Sequence, residues 1–401
     1  MLRELAKSLA LRVDFSVLHS VFRMSRMARF RSKKPRFPIC INLAGEHNLG
    51  CSALWASSIG NLPAGTNFVG TPEVRELVVG LGLPQDHFYG IGNLYANFTI
   101  SHYISLFKVA NLASKASEAY IVGADDLDGE YSKLLSGALW NFAIALRAQD
   151  FQSRMISFSW KIGAAPFAEN MVRRAAGVGV KLFPRDSRSR IRIEELVGPV
   201  ERNASDIAFA LPTNPAIGGF VEPFPSGNKV ALLGAPHPLA KNSNGSFELM
   251  LAIMRAFPEG TEFTWFPSVV RPGQDDIETQ RKLTEALSTG FTITRVAREI
   301  HPAEFMTMVG GYRVAVAFRM HPAILAMKQG TPTIMFDYQD KMLGLSEDMG
   351  LKNVVLPASL PLTAVTSSLK AFYSRSIELR ADIASSLSLM HSRAMRNFDN
   401  V

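Results

Sequence analysis

The segment 312–344 constrains the fold more than any other part of the chain, because it contains two short apolar runs separated by one helical stretch. Residues 314–318 have the sequence VAVAF and residues 333–336 the sequence TIMF, which is typical of strands that are buried on both faces. Between them, Pro322 suits the first turn of a helix and Gly330 suits its end. The segment therefore predicts a strand, a helix and a second, parallel strand.

Charged side chains follow both of these strands. Arg319 and His321 come directly after the first strand, and Lys341 comes after the second. Ligands of open parallel sheets bind at the carboxyl ends of the strands, where the amino terminus of the following helix also favours anions. Arginine and lysine add full positive charges, and a histidine exchanges a proton near pH 7. We therefore predict an anion-binding site with acid–base capacity at this edge.

The rest of the chain alternates strand-like runs and helical stretches in two arrays of similar size. The first array is predicted to begin with a strand at 38–43 and to end with one at 207–211. Residues 212–228 follow with a linker composition rich in proline, glycine and asparagine. The predicted fold class is α/β, with two Rossmann-like, doubly wound domains that face each other across a cleft. The predicted divisions are a basic extension at 1–36, domains at 37–215 and 216–361, and a helical segment at 362–401.

The positive charge of the chain is concentrated at its amino terminus. Residues 1–36 contain ten basic and two acidic side chains, which accounts for the whole formal net charge of +8. The remaining residues are neutral overall, so nucleic acid is not expected as a partner. Three interpretations of residues 1–36 stay open: a basic tail that is solvated or loosely docked, an anchor on an anionic inner membrane face, and an organelle transit peptide.

Cysteine usage and hydropathy limit the cofactors and the location. The two cysteines, Cys40 and Cys51, make neither a disulfide framework nor a metal site, and they fit a reducing cytoplasm. No segment approaches the ~18 apolar residues of a membrane span, and the amino terminus lacks the pattern of a secretory signal. We therefore expect a cytoplasmic protein without a metal or other cofactor, peripheral at the inner membrane face if residues 1–36 act as an anchor.

Further candidate residues lie after other predicted strands. Asn48 lies in the loop after the first strand, where it either faces a ligand or shapes the backbone. Asp125 and Asp126 begin an acidic loop whose spacing does not match a calcium loop, so it either caps the next helix or contacts a hydroxyl-rich ligand. Arg185 follows an apolar run and either contacts an anion or pairs with a neighbouring carboxylate.

Four segments of the chain together resemble the polysaccharide pyruvyl transferase family. They are INLAGEHNLG, IVGADDLDGEYS, LFPRDSRS and FRMHPAILAMKQGTPTIMFDYQDKMLG. The last is the most specific, because it is similar to a family block in which an arginine and a histidine precede G-x-P-x-I and Y-x-x-K. LFPRDSRS is similar to the R-D-x-x-S turn of the family. The resemblance covers residues 38–360 and implies the GT-B architecture.

The resemblance also implies an activity, the transfer of a pyruvyl group from phosphoenolpyruvate to a sugar as a ketal. The acceptor would be part of a polysaccharide or glycan precursor. Carried onto this sequence, the resemblance implies a donor site lined by Arg185, Arg319, His321 and Lys341. In this hypothesis the two arginines hold the anionic donor, Lys341 binds the leaving phosphate, and His321 transfers protons.

On the acceptor side, the hypothesis assigns Asn48, Asp125 and Asp126 to a sugar or glycan, either lipid-linked or free. Two other functions stay open. One is a nucleotide-sugar glycosyltransferase or a sugar epimerase of the same architecture, since a fold does not determine a function. Retaining enzymes of that kind tend to carry paired glutamates, whereas Glu347 stands alone near the predicted site. The other is a non-catalytic protein that binds a glycan or a phosphorylated metabolite.

Overall fold

The computed structural model describes residues 2–29, 37–94, 99–201, 204–211, 227–236, 245–337 and 340–399. The chain divides into two compact units. The first comprises Met1–Glu46, Leu54–Ile207 and Arg393–Val401, and the second comprises His47–Ala53 and Ala208–Ser392. Most of the predicted linker, including the predicted division at residue 215, lies outside the described residues, so the predicted domain limits stay predictions.

A parallel sheet forms the framework of the first unit. Its strands are β1 Ile39–Ile41, β2 Asn67–Gly70, β3 Phe88–Gly90, β4 Glu118–Ala124, β5 Gln152–Phe158 and β6 Lys181–Pro184. Its helices are α1 Leu2–Arg29, α2 Leu49–Asn61, α3 Arg75–Gly80, α4 Ile100–Ser114, α5 Lys133–Arg147, α6 Pro166–Gly177 and α7 Ser187–Val197, and the start of α2, up to Ala53, is grouped with the second unit. The described strands are ordered β3-β2-β1-β4-β5-β6, so the direction of strand addition reverses between β1 and β4. That reversal is where ligands bind in sheets of this type.

The second unit is built in the same way. Its strands are β7 Lys229–Leu233, β8 Glu262–Phe266, β9 Val270–Arg271, β10 Gln274–Asp275, β11 Thr292–Arg295, β12 Val314–Ala317, β13 Thr333–Asp337 and β14 Val355–Pro357. Its helices are α8 Gly245–Met254, α9 Asp276–Leu287, α10 Pro302–Val309, α11 Met320–Lys328, α12 Lys341–Asp348, α13 Leu362–Ser374 and α14 Ser376–Met395. Six described strands form a parallel sheet in the order β11-β8-β7-β12-β13-β14, and β9 and β10 pair separately. The predicted α/β class is confirmed.

Burial explains why the apolar runs form strands. Every residue of β12 and the first four residues of β13 are buried, as expected of strands that are covered by helices on both faces. In the first unit, the Trp140 ring packs edge-on against the Phe158 and Trp160 rings at centroid distances of 6.3 Å and 6.4 Å. Apolar side chains on both faces of each sheet therefore hold the helices in place.

The strand predicted at 207–211 is wrong. Ile207–Ala210 forms a 3₁₀ helix, and the Ile207 amide donates a hydrogen bond to Ser157 Oγ (3.2 Å) instead of joining a strand. The segment is apolar because it is buried, and a short buried run does not distinguish a strand from a turn of helix. The first sheet ends with β6 instead.

Helix α1 packs against α4 and α5, so the described part of the predicted extension is not a solvated tail. Ala10, Leu11, Leu18 and Val21 are buried, and Asn141 Nδ2 donates a hydrogen bond to the Leu11 carbonyl (2.8 Å). Residues 30–36 lie outside the described residues. Within the described ranges, no helix combines the length and the apolar character needed to cross a membrane. Membrane contact through residues 1–36 stays a prediction.

A buried histidine connects α1 to α4. His102 Nε2 lies 2.9 Å from Asp14 Oδ1, and His102 Nδ1 lies 2.6 Å from the Asn93 carbonyl oxygen. Since both partners are acceptors, the ring satisfies them best when both nitrogens carry a proton. Burial alone would lower the pKa of His102, but the hydrogen bonds to Asp14 and Asn93 outweigh it and raise the pKa.

The docking of α1 should therefore weaken as the pH rises. A raised histidine pKa adds stability that is complete below the ordinary value of about 6.5 and is lost as the pH rises through the folded-state pKa. Thermal denaturation across this range should show a falling midpoint for the native protein and a flatter profile for His102→Gln. The matched control, His87→Gln, should keep the native profile. A native profile in His102→Gln would contradict this account.

Candidate functional site

The carboxyl ends of β7 and β12 define the candidate site in the second unit. These strands are neighbours, and the order of strand addition reverses between them. Arg319 lies just beyond β12 as the residue before α11, in extended conformation, and His321 lies in the first turn of α11. The sequence prediction began this helix at Pro322, two residues later than the structure does. The early start brings the histidine into the helix terminus, where unpaired amide groups favour anions.

A buried carboxylate positions Arg319. Asp276 Oδ2 accepts hydrogen bonds from the Ser268 and Val269 amides at 2.9 Å and 3.0 Å. Burial raises the pKa of Asp276, although Arg319 and these amides oppose the shift. Arg319 Nη2 lies 3.7 Å from Asp276 Oδ1, which is an ion pair but too long for a hydrogen bond. Among the described residues, Arg319 Nε has no hydrogen-bond partner, so the guanidinium keeps donors for an anion.

Gly234, directly after β7, makes room for this arginine. A Cβ at this position would lie 2.8 Å from Arg319 Cγ, and the backbone has a φ of +78° that side chains rarely tolerate. Any larger residue at position 234 would therefore be strained for two independent reasons. The close approach holds the aliphatic part of Arg319 across the end of β7.

His321 packs against the start of α2. Residues 47–53, which include this start, belong to the second unit. Asn48 forms an antiparallel bridge with Val269, and the Leu49 amide donates to the Ser268 carbonyl (2.8 Å). This anchoring brings Gly50 against the histidine ring, so closely that a Cβ on Gly50 would lie 2.4 Å from His321 Nδ1. The first turns of α2 and α11 therefore meet at the imidazole.

Gly50→Ala should separate activity from stability. Alanine favours a helix over glycine by about 1 kcal/mol, which offsets part of the cost of moving the neighbouring ring, so the net change in stability should be small. The new methyl group has to displace the His321 ring, and the proton-transfer role that the resemblance implies for this ring predicts a fall in kcat of at least about tenfold. Steady-state kinetics and thermal denaturation measure both effects. Gly177→Ala, at a helical glycine with open space around it, should leave kcat unchanged. Equal kcat values in Gly50→Ala and native protein would contradict the close packing.

Lys341 follows the neighbouring strand. β12 and β13 pair in parallel, and the ring of Phe318, directly after β12, stacks on the ring of Phe336 in β13 at a centroid distance of 5.3 Å. Lys341 is the first residue of α12, whose Leu343 amide donates to Asp337 Oδ2 (3.0 Å). Arg319, His321 and Lys341 thus follow adjacent strands at one edge of one sheet.

Arg185 lies in the first unit and is almost completely buried. Its Nη2 pairs with Asp125, its Nη1 lies 3.3 Å from Asp206 Oδ2, and its Nε donates to Ser159 Oγ (2.8 Å). Burial would lower the pKa of Arg185, but the surrounding carboxylates raise it. These contacts match the interpretation in which Arg185 pairs with carboxylates. Direct contact with a donor stays a prediction.

The predicted acceptor residues occupy two places. Asp125 follows β4 and is about a third exposed, so Arg185 holds a carboxylate that solvent reaches. Asp126 lies next to it in the same turn and donates its amide to the Gly123 carbonyl (3.0 Å). Asn48 caps α2, because its Oδ1 accepts from the Gly50 amide (2.9 Å). The backbone role considered for Asn48 is therefore present, and a ligand role stays a prediction.

Sequence reasoning missed Asp276 and the contact between Gly50 and His321. Asp275 lies directly before α9, and Asp276 is the first residue of that helix. Asp275 does cap the helix, with Oδ1 accepting from the Ile277 amide (2.9 Å), whereas Asp276 faces inward to the site. The available sequence signal was the pair of consecutive acidic residues at this helix start, because one residue is enough to cap a helix. The contact of Gly50 had no sequence signal.

Solved structures of low sequence identity share the fold of this chain. A UDP-GlcNAc 2-epimerase from Neisseria meningitidis bound to UDP-GlcNAc shares 12% identity over 90% of this chain and 97% of its own, with a TM-score of 0.59. A putative UDP-N-acetylglucosamine 2-epimerase from Listeria monocytogenes shares 14% identity over 90% and 95%, with a TM-score of 0.57. A glycosyltransferase from Rickettsia africae shares 9% identity over 92% and 100%, with a TM-score of 0.57. The chain therefore has the GT-B type of fold.

The family follows from the sequence match. The family model for polysaccharide pyruvyl transferase matches residues 78–340, which include the strand ends described above. This chain belongs to the polysaccharide pyruvyl transferase family, and the resemblance inferred from its motifs is confirmed. No curated protein sequence matches it significantly.

Proposed function

We propose that this protein transfers a pyruvyl group from phosphoenolpyruvate to two hydroxyl groups of a sugar, forming a ketal. The sugar belongs to a polysaccharide or to a glycan precursor. The proposal rests on the family match and on one structural observation, the position of Arg319 and His321 at the start of α11 beside the end of β7. The two cysteines suit a reducing cytoplasm, which is where we assign the reaction.

The charge of the donor matches the side chains at this edge. Phosphoenolpyruvate carries a carboxylate and a phosphate, about three negative charges near neutral pH. Arg319 presents guanidinium donors, and the first turn of α11 presents amide groups with a positive dipole end. We assign the carboxylate to Arg319 and the leaving phosphate to Lys341. These positive groups offset the donor's charge in a setting that is only partly exposed to water.

Proton transfer is the chemical demand of the reaction. The methylene carbon of the donor gains a proton and becomes a methyl group, and the adjacent carbon forms bonds to two sugar oxygens. The C–O bond to phosphate breaks. The sugar loses two hydroxyl protons, and in the overall balance the new methyl group gains one proton and the departing phosphate gains the other. A positioned histidine contributes roughly 10²–10⁴-fold to such steps. We assign this role to His321, whose ring is held against Gly50.

We assign the acceptor to the carboxylates after β4. Asp125 and Asp126 accept hydrogen bonds from sugar hydroxyl groups in this proposal, and Arg185 orients Asp125 through their ion pair. Asn48 contributes through the position of the α2 terminus. This assignment makes Arg185 a positioning residue, which differs from the donor contact that the motif resemblance implied.

A phosphate-release assay tests the proposed function. The purified chain is incubated with phosphoenolpyruvate and a panel of hexose and N-acetylhexosamine acceptors, and products are analysed by mass spectrometry for the ketal. Phosphate release that requires both substrates supports the proposal. Thermal stabilisation by UDP-sugars together with no stabilisation by phosphoenolpyruvate would support a glycosyltransferase or epimerase instead. Binding of phosphoenolpyruvate without turnover on any acceptor would support a binding protein.

Arg319→Ala should raise the KM for phosphoenolpyruvate. A charge-assisted hydrogen bond contributes about 1.5–3 kcal/mol, so we expect KM to rise roughly ten- to hundredfold with a smaller change in kcat. The matched control is Arg298→Ala, which removes an exposed arginine paired with Glu304 and should leave KM unchanged. An unchanged donor KM in Arg319→Ala would remove this residue from the donor site.

A further inference from the structure

Helix α4 exposes an apolar stripe to solvent. Ile100, Ile104 and Phe107 recur at helical spacing on one side, and their exposed fractions are 80%, 51% and 56%. Residues at this spacing on a globular protein normally face the core. On α4 the core is met by the opposite side, through residues such as Val109 and Ala113. The stripe is therefore a second apolar face that the first unit leaves uncovered.

Exposed basic side chains occur on α4, at its end and on the helix packed against it. Lys108 is exposed on α4, which contains no acidic residue, and Lys115 is exposed directly after the end of this helix. Helix α1 packs against α4, and Arg12 and Arg23 are exposed on α1. The exposed side of α1 also has an open groove lined by Arg12, Val13, Ser16, Val17, Ser20 and Val21.

The acidic content of the two helices does not cancel this positive charge. Among the side chains described on the two helices, the one carboxylate is that of Asp14, which is buried against His102. The surface thus combines large apolar side chains with net positive charge. We refer to Ile100, Ile104, Phe107, Lys108 and Lys115, together with Arg12 and Arg23, as the α1–α4 face.

We propose that the α1–α4 face binds an anionic lipid bilayer. Apolar side chains that enter the acyl boundary and basic side chains that meet anionic headgroups are the two components of interfacial binding. A second copy of this chain fits less well, because pairing two such faces would bring like charges together. The proposed membrane-binding site thus includes α4. The sequence interpretation, in contrast, placed an anchor in residues 1–36 alone. It does not depend on the chemistry proposed above, and it would bring the enzyme to lipid-linked acceptors.

Vesicle sedimentation with the full chain tests the proposal. The probes are vesicles of phosphatidylcholine alone and of phosphatidylcholine with about a third phosphatidylglycerol. We expect binding to the anionic vesicles that weakens at high salt. The variant Ile100→Ser/Ile104→Ser/Phe107→Ser should lower the affinity at least about tenfold, and Arg12→Gln/Lys108→Gln/Lys115→Gln should remove the preference for anionic vesicles.

A matched control removes similar exposed apolar surface elsewhere. Ile191→Ser/Ile377→Ser/Leu389→Ser alters exposed residues of α7 and α14 and should bind vesicles like the native protein. Phosphate release with a water-soluble acceptor should be equal in all three variants, which separates this proposal from the proposed activity. Absence of native binding to anionic vesicles would overturn the proposal, and so would equal binding by the native protein and the α4 variant. A native dimer in sedimentation velocity that the α4 variant dissociates would assign the face to self-association instead.

Discussion

Replacing His321 with alanine is expected to lower kcat for pyruvyl transfer by roughly 10²–10⁴-fold, because the reaction then lacks its positioned proton donor and acceptor. The donor KM should change little, since Arg319 and the start of α11 remain. The free energy of unfolding should change by no more than about 1 kcal/mol, because the ring is only partly buried. Steady-state phosphate release and denaturant unfolding of the same preparation measure both quantities.

The control for this prediction is another histidine of the second unit. His301 Nδ1 accepts a hydrogen bond from the Ala303 amide (3.2 Å) and caps α10, so His301→Ala should cost about 1 kcal/mol of stability and leave kcat unchanged. The pH dependence adds a second readout. Loss of one limb of the pH–rate profile in His321→Gln, with folding intact, is expected of a proton-transfer group. Retention of most native kcat by His321→Ala at saturating donor would refute the assignment.

Replacing Arg185 with alanine is expected to reduce the free energy of unfolding by about 3–5 kcal/mol. Its guanidinium is about 1% exposed and pairs with both Asp125 and Asp206, and the Asp206 carboxylate is itself about 2% exposed. Removing the cation leaves buried negative charge that is no longer offset. Denaturant unfolding monitored by tryptophan fluorescence measures the loss.

Two further variants identify the cause of this loss. Arg190→Ala breaks a partly exposed pair with Glu194 on α7 and should cost less than about 1 kcal/mol. Adding Asp206→Asn to Arg185→Ala should recover part of the stability, because the unmatched charge is then removed. A large rise in donor KM in Arg185→Lys, at native stability, would instead return Arg185 to the donor site.

The placement of Arg319, His321 and Lys341 beyond the ends of two strands was predictable from the sequence, because each comes within five residues of an apolar run. Residues next to a buried strand have little freedom in where they emerge, and parallel strands emerge at one edge. The 3₁₀ helix at Ile207–Ala210 was not predictable, since its burial resembles that of a strand. The role of Arg185 was left between an anion contact and a carboxylate pair, because sequence does not reveal which acids surround a buried cation.

The amino-acid sequence by itself determined the α/β class, the family and the strand ends that carry the basic side chains, because these depend on local apolar periodicity and on residues adjacent in the chain. Only the tertiary structure decided that Gly50 packs on His321, that Asp276 approaches Arg319 and that α4 leaves an apolar stripe uncovered. Such contacts join residues far apart in sequence or depend on which face of a helix is buried. Packing between distant parts of the chain decides which faces are buried, and local sequence patterns do not contain that information.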